Sequence, residues 1–260
     1  MPIAFRLKVS GWTAPAAAMS PFPSVQLVPA CTHCSLRQLC TPCASGPGHL
    51  PEAGPIQFSR RRLASGKVLF HEGEPFHAIH AVRSGSLKST LVLPDGREQV
   101  VGFALPGDLL ALDAISNARH ASTVTAIEDS QVCALSYESI LMAMKGRTAM
   151  QRSLSRELGL DILRAHRMMF LLGRLDAQQR LAAFLLDLSH RLKGRGLSAR
   201  EFSLTMTRAE IGSFLGLTLE TISRTLSLFQ QQGQLSVHNR RIRIIDLESF
   251  AARFPAVLQG

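Results

Sequence analysis

The segment that most constrains the fold of this chain is residues 204–235, which read LTMTRAEIGSFLGLTLETISRTLSLFQQQGQL. Thr207 followed by Glu210 forms a capping box, in which the two side chains satisfy backbone donors at the start of a helix. Gly216 can supply the left-handed turn that ends this helix, and Thr218 can cap a second one. Two short helices joined by a tight glycine turn predict a helix-turn-helix.

The second helix of this segment has one apolar face and one polar face. Its apolar residues recur at i, i+4 and i+7 and are predicted to be buried: Ile222, Leu226 and Phe229. Glu220, Ser223 and Arg224 lie on the opposite face. Three such residues also fit a solvated face with a local ion pair, but Arg can bond guanine and Glu can accept from cytosine in the major groove. The surrounding helix-turn-helix pattern favours DNA reading.

A short hairpin with a basic tip follows the second helix. Residues 235–237 and 242–245 alternate as strands around the sequence HNRR, which predicts a wing. Arginines outside the reading face suit phosphates, which position a protein without specifying sequence. The predicted DNA-contacting residues are Glu220, Ser223, Arg224, Arg208, Thr218, Arg240 and Arg241.

A region of short strands precedes the helical part of the chain. Between Lys67 and Leu135, β-type runs alternate with turn signals such as PDG and PGD at intervals of about 8–12 residues, which predicts a small antiparallel barrel or roll. The 260 residues, 46% hydrophobic and 18% charged, suffice for two folded modules. The fold class is therefore α+β.

A long amphipathic helix connects the two modules. Its apolar residues follow spacings of 3 and 4, and the seam comprises Leu154, Leu158, Ile162, Ala165, Met169 and Leu172. The seam can pack against its own β-roll or pair with a second copy. The near-heptad spacing favours a homodimer interface.

The charge and the first residues restrict the environment of the protein. A net charge of +10 favours polyanionic partners such as nucleic acid or anionic lipid. No apolar run reaches the roughly 18 residues of a membrane span, and residues 1–30 lack the apolar core of a signal peptide and are interpreted as a flexible tail. Five cysteines, four of them bunched, fit a reducing cytoplasm better than a secreted scaffold.

The bunched cysteines predict an inorganic centre. Residues 31–43 read CTHCSLRQLCTPC, and thiolates at this density bind Zn²⁺ or an iron–sulfur cluster, both of which usually take four ligands. Cys133 lies far along the chain in DSQVCAL. Such a residue is either a small buried apolar side chain or a distant fourth ligand.

From Cys31 to about residue 250, the sequence resembles the Fnr group of the cyclic-AMP receptor protein superfamily. The resemblance rests on the cysteine spacing, the lone cysteine in SQVCAL, the glycine-punctuated roll and LTMTRAEIGSFLGLTLETISR. It implies a [4Fe–4S] cluster held by Cys31, Cys34, Cys40 and Cys133, with Cys43 as a spare thiol. It also implies RNA polymerase as a partner and, from the Glu-x-x-Ser-Arg triplet, a TTGAT-like half-site.

The sequence departs at two places from the superfamily that it resembles. Residues 109–113 and 117–126 lack the order of residues with which relatives hold a cyclic nucleotide, so no cyclic nucleotide is expected. Ala165 stands where members of the Fnr group often have an acidic residue that opposes pairing. We therefore expect easier dimerisation and leakier oxygen control.

The resemblance implies that an intact cluster favours a dimer that binds a palindromic site, and that oxygen reverses this. The predicted domains are a tail (1–30), a cysteine segment and β-roll (31–146), a dimerisation helix (147–174) and a winged helix-turn-helix (175–260). A zinc or thiol–disulfide sensor is the alternative, and an electron carrier is a further rival. No catalytic site is predicted, and His33, His71, His77 and His80 are expected at the surface.

Overall fold

The computed structural model describes residues 58–254. Several predictions lie outside this range: the tail (1–30), Cys31, His33, Cys34, Cys40 and Cys43. Among the described helices, none has the length and apolar character needed to cross a membrane.

The first half of the described chain is an antiparallel β-roll made of two four-stranded sheets, as the turn spacing predicted. One sheet has the order β1-β8-β3-β6 and the other β2-β7-β4-β5. Apolar side chains from both sheets form its core. The strands are β1 (Phe58–Leu63), β2 (Val68–Phe70), β3 (Ala78–Ser84), β4 (Leu87–Val92), β5 (Glu98–Ala104), β6 (Leu109–Leu110), β7 (Thr123–Ala126) and β8 (Ser130–Ser136).

The turn between β3 and β4 depends on glycine. Gly85 has a φ of +79°, a conformation that residues with a Cβ rarely adopt. A Cβ at this position would lie 2.3 Å from Ser130 Oγ and 2.6 Å from the Asp129 carbonyl oxygen. The close approach of this turn to the start of β8 therefore requires glycine.

One of the histidines expected at the surface is buried. His71 and His77 are exposed, but His80 is 6% exposed because five successive residues of β3 are covered on both faces. His120 is buried beside it and stacks on Phe70, with ring centroids 3.7 Å apart. Within the described residues neither Nδ1 atom has a hydrogen-bond partner. The prediction of a surface His80 was wrong because both faces of its strand are covered.

Two helices follow the roll: α1 (Tyr137–Met144) and α2 (Thr148–Arg174). The seam of α2 divides along its length. Leu154 is buried in the core of the roll and Leu158 packs partly against it, whereas Ile162 and Met169 are 58% and 62% exposed. Packing on the roll is thus confirmed for the first turns of the helix. The later turns leave an apolar stripe uncovered, and pairing with a second copy stays a prediction for them.

The C-terminal unit combines four helices with a three-stranded sheet of order β10-β11-β9. Its elements are α3 (Ala177–Lys193), β9 (Glu201–Ser203), α4 (Arg208–Leu215), α5 (Leu219–Gln231), β10 (Leu235–His238), β11 (Arg241–Ile244) and α6 (Leu247–Ala252). This arrangement confirms the winged helix-turn-helix. Strand β9, which pairs with β11, was not predicted.

Aromatic contacts join this unit to the roll. Phe103 on β5 lies 6.1 Å from Phe184 on α3 and 5.2 Å from Phe214 on α4, measured between ring centroids. Phe103 belongs to the apolar core of the C-terminal unit rather than to that of the roll. Strand β5 therefore forms part of both modules.

Candidate nucleic-acid interface

Local capping sets the geometry of the helix-turn-helix. The Thr207 hydroxyl accepts a hydrogen bond from the Glu210 backbone N–H at 3.2 Å, and the Glu210 carboxylate accepts one from the Thr207 N–H at 2.7 Å. Gly216 ends α4 with a φ of +63°, and the Thr218 hydroxyl accepts from the Thr221 N–H. The capping box, the glycine turn and the second cap are thus confirmed.

Helix α5 buries one face and presents the other. Its buried apolar residues are Ile222, Leu226 and Phe229, and Thr225 is buried beside them. Glu220 and Arg224 are exposed on the opposite face, and Ser223 between them is half-buried. The three side chains therefore form a polar surface near the N-terminal end of the helix, the part of a recognition helix that contacts base edges.

Neighbouring groups fix the charge of Glu220 and the contacts of Ser223 on this face. A backbone N–H holds the pKa of the Glu220 carboxyl below its ordinary value, with further contributions from Thr218 and Arg224. Glu220 is therefore an ionised acceptor at neutral pH. Arg208 at the start of α4 donates to Ser223 Oγ at 3.1 Å, so a side chain assigned to phosphates touches one assigned to bases.

The wing carries its arginines at the surface. Asn239 forms the tip between β10 and β11 with a φ of +55°, and Arg240 and Arg241 beside it are exposed. Arg240 donates to the Thr205 carbonyl oxygen at 3.4 Å, and Arg241 lies 3.7 Å from a Glu201 carboxylate oxygen. Exposed pairs of this kind are weak, so both guanidinium groups can exchange them for phosphates.

Residues of the roll also contact the helix-turn-helix, which the sequence did not predict. Lys88 Nζ on β4 lies 2.7 Å from Glu210 Oε1, and the Val100 N–H on β5 donates to Ser213 Oγ at 2.9 Å. Burial alone would raise the pKa of Glu210, but the hydrogen bonds from Lys88 and Thr207 outweigh it and lower the pKa. The capping residue of α4 is therefore also a docking residue.

Arg180, in the first turns of α3, bonds the C-terminal ends of two other helices. Its guanidinium donates to the carbonyl oxygens of Leu172 and Leu175 at 2.8 Å and of Leu215 at 3.1 Å. These carbonyls end α2 and α4, where helices leave acceptors without intrahelical donors. The residue anchors the first helix of the helix-turn-helix to the end of α2.

Cys133 lies in β8, a central strand of the first sheet. Its register partners are Arg60 on β1 and Ala81 on β3. Residues two apart share a sheet face, so Cys133 and Leu135 lie on the same side. Leu135 lines an apolar cavity together with Leu154 of α2. The cysteine therefore sits on the sheet face against which α2 begins.

Comparison with protein families divides the chain in the same way as the structure. Residues 60–147 match the cyclic nucleotide-binding domain family. Residues 179–253 match the Crp-like helix-turn-helix domain family. The two matches correspond to the β-roll with α1 and to the C-terminal unit.

Several known proteins are similar to most of this chain. It is 40% identical over 218 residues to the anaerobic regulatory protein of Pasteurella multocida, covering 84% of this chain and 80% of that protein. It is 39% identical over 221 residues to the fumarate and nitrate reduction regulatory protein of Yersinia pestis, covering 85% and 88%. Among solved structures, FixK2 of Bradyrhizobium japonicum matches with a TM-score of 0.70 and 32% identity, covering 76% of this chain and 97% of that one.

Proposed function

Because the chain belongs to the Crp/Fnr family of transcription regulators, we propose that it is an oxygen-responsive regulator of anaerobic gene expression. In this proposal a [4Fe–4S] cluster favours a homodimer, and the dimer binds a palindromic TTGAT-like site. The observation that carries the proposal is the pairing of β1 with β8. Because β1 follows the cysteine segment in the sequence, this pairing places the first described strand after that segment beside Cys133.

The exposed face of α5 supports the DNA-reading part. Glu220, Ser223 and Arg224 offer acceptors and a guanidinium fork to base edges, while the wing arginines are placed at the surface for the backbone. Two recognition helices on a palindromic site must lie one DNA turn apart, about 34 Å. A single chain presents one such helix, so the proposal requires two copies.

The position of β1 supports Cys133 as the fourth ligand. Phe58, the first residue of β1, pairs with Leu135, two residues from Cys133. Cys40 precedes Phe58 by 18 residues. A chain of this length can span up to about 60 Å, so Cys31, Cys34 and Cys40 can reach Cys133.

The donor set fits a [4Fe–4S] cluster, which takes four cysteine thiolates. Arg60 on β1 is exposed and is the register partner of Cys133. Its positive charge is compatible with the negative charge of four thiolates. When bound, the cluster supplies an iron centre that oxygen oxidises and degrades. In this proposal the cluster connects the cysteine segment to Cys133, on the sheet face against which α2 packs. Loss of the cluster then changes the packing of α2 on that face.

The later turns of α2 support the dimer. Ile162, Met169 and Leu172 are exposed in the single chain, and a contiguous apolar stripe of this kind marks an interaction surface. We assign the stripe to pairing with a second copy along the heptad-like seam. Ala165 adds neither charge nor bulk, so the dimer should also persist to some extent without the cluster.

The interior of the roll supports the absence of a cyclic nucleotide. His120 lies within residues 117–126 and its ring stacks on Phe70, with Phe76 edge-on to it. Arg119 of the same loop donates to the Gly73 carbonyl oxygen at 2.6 Å rather than pointing a free guanidinium inward. We therefore propose that the match to the cyclic nucleotide-binding domain reflects the fold.

The proposal is tested by anaerobic purification followed by a visible spectrum and by iron and sulfide analysis. We expect brown protein with about four irons per chain. A colourless protein with stoichiometric zinc supports the zinc alternative and contradicts the cluster.

Operator binding of the anaerobic and the air-treated protein is then compared by fluorescence anisotropy. Equal affinity contradicts oxygen sensing without contradicting DNA binding.

A further inference from the structure

The carboxylate of Asp108 is shared by two arginines of the C-terminal unit and so connects the β-roll to it. It lies in the PGD turn between β5 and β6, and its side chain is 9% exposed. Oδ2 accepts hydrogen bonds from the Leu105 backbone N–H at 2.7 Å and from the Arg191 guanidinium. Oδ1 accepts one from Arg195 at 2.9 Å. Both oxygens are therefore occupied, and both contacts to arginine cross between modules.

The two arginines also bind the backbone of the roll. Arg191, in the last turn of α3, donates to the Phe103 carbonyl oxygen at 3.0 Å, and Arg195 just beyond α3 donates to the Pro106 carbonyl oxygen. Their side chains are 22% and 18% exposed. The planar fork of arginine can satisfy a carboxylate and a carbonyl together, which lysine cannot do with the same geometry.

A third arginine links this junction to the long helix. Arg164 on α2 lies 3.9 Å from Asp108 Oδ1 and also 3.9 Å from Asp161. Arg191 has a second partner in Asp187, at 3.5 Å. Three arginines thus meet three carboxylates, so the junction is balanced in charge and is not a site for a further anion.

The junction lies at one side of a larger interface. The ring of Phe103 packs against Phe184 and Phe214, which also contact each other, and the Lys88–Glu210 ion pair holds the start of α4. In this arrangement the reading face of α5 remains exposed. The orientation fixed by the interface is therefore one in which DNA can reach the recognition helix.

We propose that Asp108 is a positioning residue for DNA binding: it fixes the orientation of the helix-turn-helix on the roll and couples that orientation to α2 through Arg164. Modules within one chain move relative to each other unless their interface holds them. A unit that samples many orientations populates the binding orientation less, and its apparent affinity falls by that fraction. The inference rests on the proposed DNA binding but not on the cluster.

The test compares Asp108→Asn with Asp95→Asn in the full chain. Asp95 is also bonded to an arginine, Arg97 at 2.8 Å, but both lie exposed on the β4–β5 hairpin. We expect Asp108→Asn to bind operator DNA at least about tenfold more weakly, with dimerisation by sedimentation unchanged. In calorimetry the roll and the C-terminal unit should then unfold in separate transitions. Asp95→Asn should resemble the wild type in all three measurements.

A triple variant separates positioning from stability. Asp108→Asn leaves two arginines without their shared carboxylate, and adding Arg191→Gln and Arg195→Gln removes those charges. We expect the triple variant to regain part of the unfolding temperature while its DNA affinity stays low. If affinity returns together with stability, or if Asp108→Asn binds DNA as Asp95→Asn does, the inference is overturned.

Two further outcomes are also decisive. If Asp108→Asn does not fold, Arg195→Lys retains the charge without the fork and should show the same loss of affinity in milder form. Unchanged affinity in that variant counts against the proposal. If the wild type binds no operator, the proposed function fails, whereas separate calorimetric transitions in Asp108→Asn still establish that Asp108 couples the unfolding of the two modules.

Discussion

The β-roll and the helix-turn-helix differ in where they place the titratable groups described above. The roll buries His80 and His120 in its interior and Asp108 at its boundary. The helix-turn-helix keeps Glu220 and Arg224 exposed. Groups inside a module respond to its internal packing, whereas groups on a surface are available to a macromolecule. In the proposed function the roll responds to a signal and the helix-turn-helix reads DNA, so the interface between them is where the two are coupled.

The largest effect is expected from a substitution that disrupts the packing of the β-roll alone. Gly85→Ala places a Cβ against Ser130 and Asp129 at a positive φ, and clash and backbone strain together should lower the free energy of unfolding by about 3 kcal/mol or more. Gly96→Ala is the control, since Gly96 has a similar φ of +83° but open space around it. We expect a loss of about 1 kcal/mol there. Equal losses in urea denaturation contradict the close approach.

The buried histidine predicts an acid dependence that belongs to the roll. Burial, followed by the charges of His120 and Arg61, lowers the pKa of His80 from 6.5 to about 3. Below pH 6.5 the unfolded chain binds a proton at this histidine that the folded chain does not bind. The free energy of unfolding therefore decreases as the pH is lowered from 6.5 to about 3. The loss at pH 5 is about 2 kcal/mol.

His80→Leu should remove this part of the acid dependence while leaving stability at pH 7.5 unchanged or higher, because it removes an imidazole whose Nδ1 atom has no hydrogen-bond partner in the part of the chain that the structure describes. The exposed His77→Gln variant should retain it. Urea unfolding at pH 7.5 and pH 5 measures both. A His80→Leu variant with the same pH difference as the wild type means that the imidazole is not buried in its neutral form.

A change on the reading face should affect sequence preference and leave the roll intact. Arg224→Ala should reduce discrimination at one base pair of each half-site by about tenfold, or about 1.4 kcal/mol. Arg241→Ala on the wing should weaken binding to all sequences alike, since phosphates carry no sequence information. Competition with single-base operator variants distinguishes the two. Uniform weakening in Arg224→Ala contradicts its role in base reading.

The smallest expected effect concerns the apolar stripe of α2, which the proposal assigns to pairing with a second copy. Met169→Glu places two carboxylates at the paired seam and should weaken dimerisation by about 1 kcal/mol, roughly fivefold. Arg167→Glu, off the seam, introduces a larger charge change and should leave dimerisation unaffected. Sedimentation equilibrium measures both. Equal weakening by the two variants indicates a general charge effect and not a seam.

The helix-turn-helix was predictable because its determinants lie within a few residues of one another. Thr207 and Glu210 cap each other across three positions, and Gly216 and Thr218 mark the turn. Short-range signals of this kind depend little on residues that are distant in sequence. Strand β9 was missed because a three-residue strand carries too little alternation to recognise.

The junction at Asp108 could not be predicted, because its partners Arg191 and Arg195 lie 83 and 87 residues away in sequence. The same holds for the pairing of β1 with β8, which gives Cys133 its neighbours. His80 was misplaced because β3 is covered on both faces and shows no alternation of burial over its first five residues. In each case the determinant is tertiary packing, which periodicity does not record.

The most direct test of the account is to replace Cys133 by Ser and measure bound iron and subunit association in protein purified without oxygen. Cys43→Ser serves as the matched control. The account predicts that Cys133→Ser loses the cluster and shifts toward monomer, while Cys43→Ser retains both the cluster and the dimer. If Cys133→Ser keeps its iron and its subunits remain paired, the central claim is contradicted.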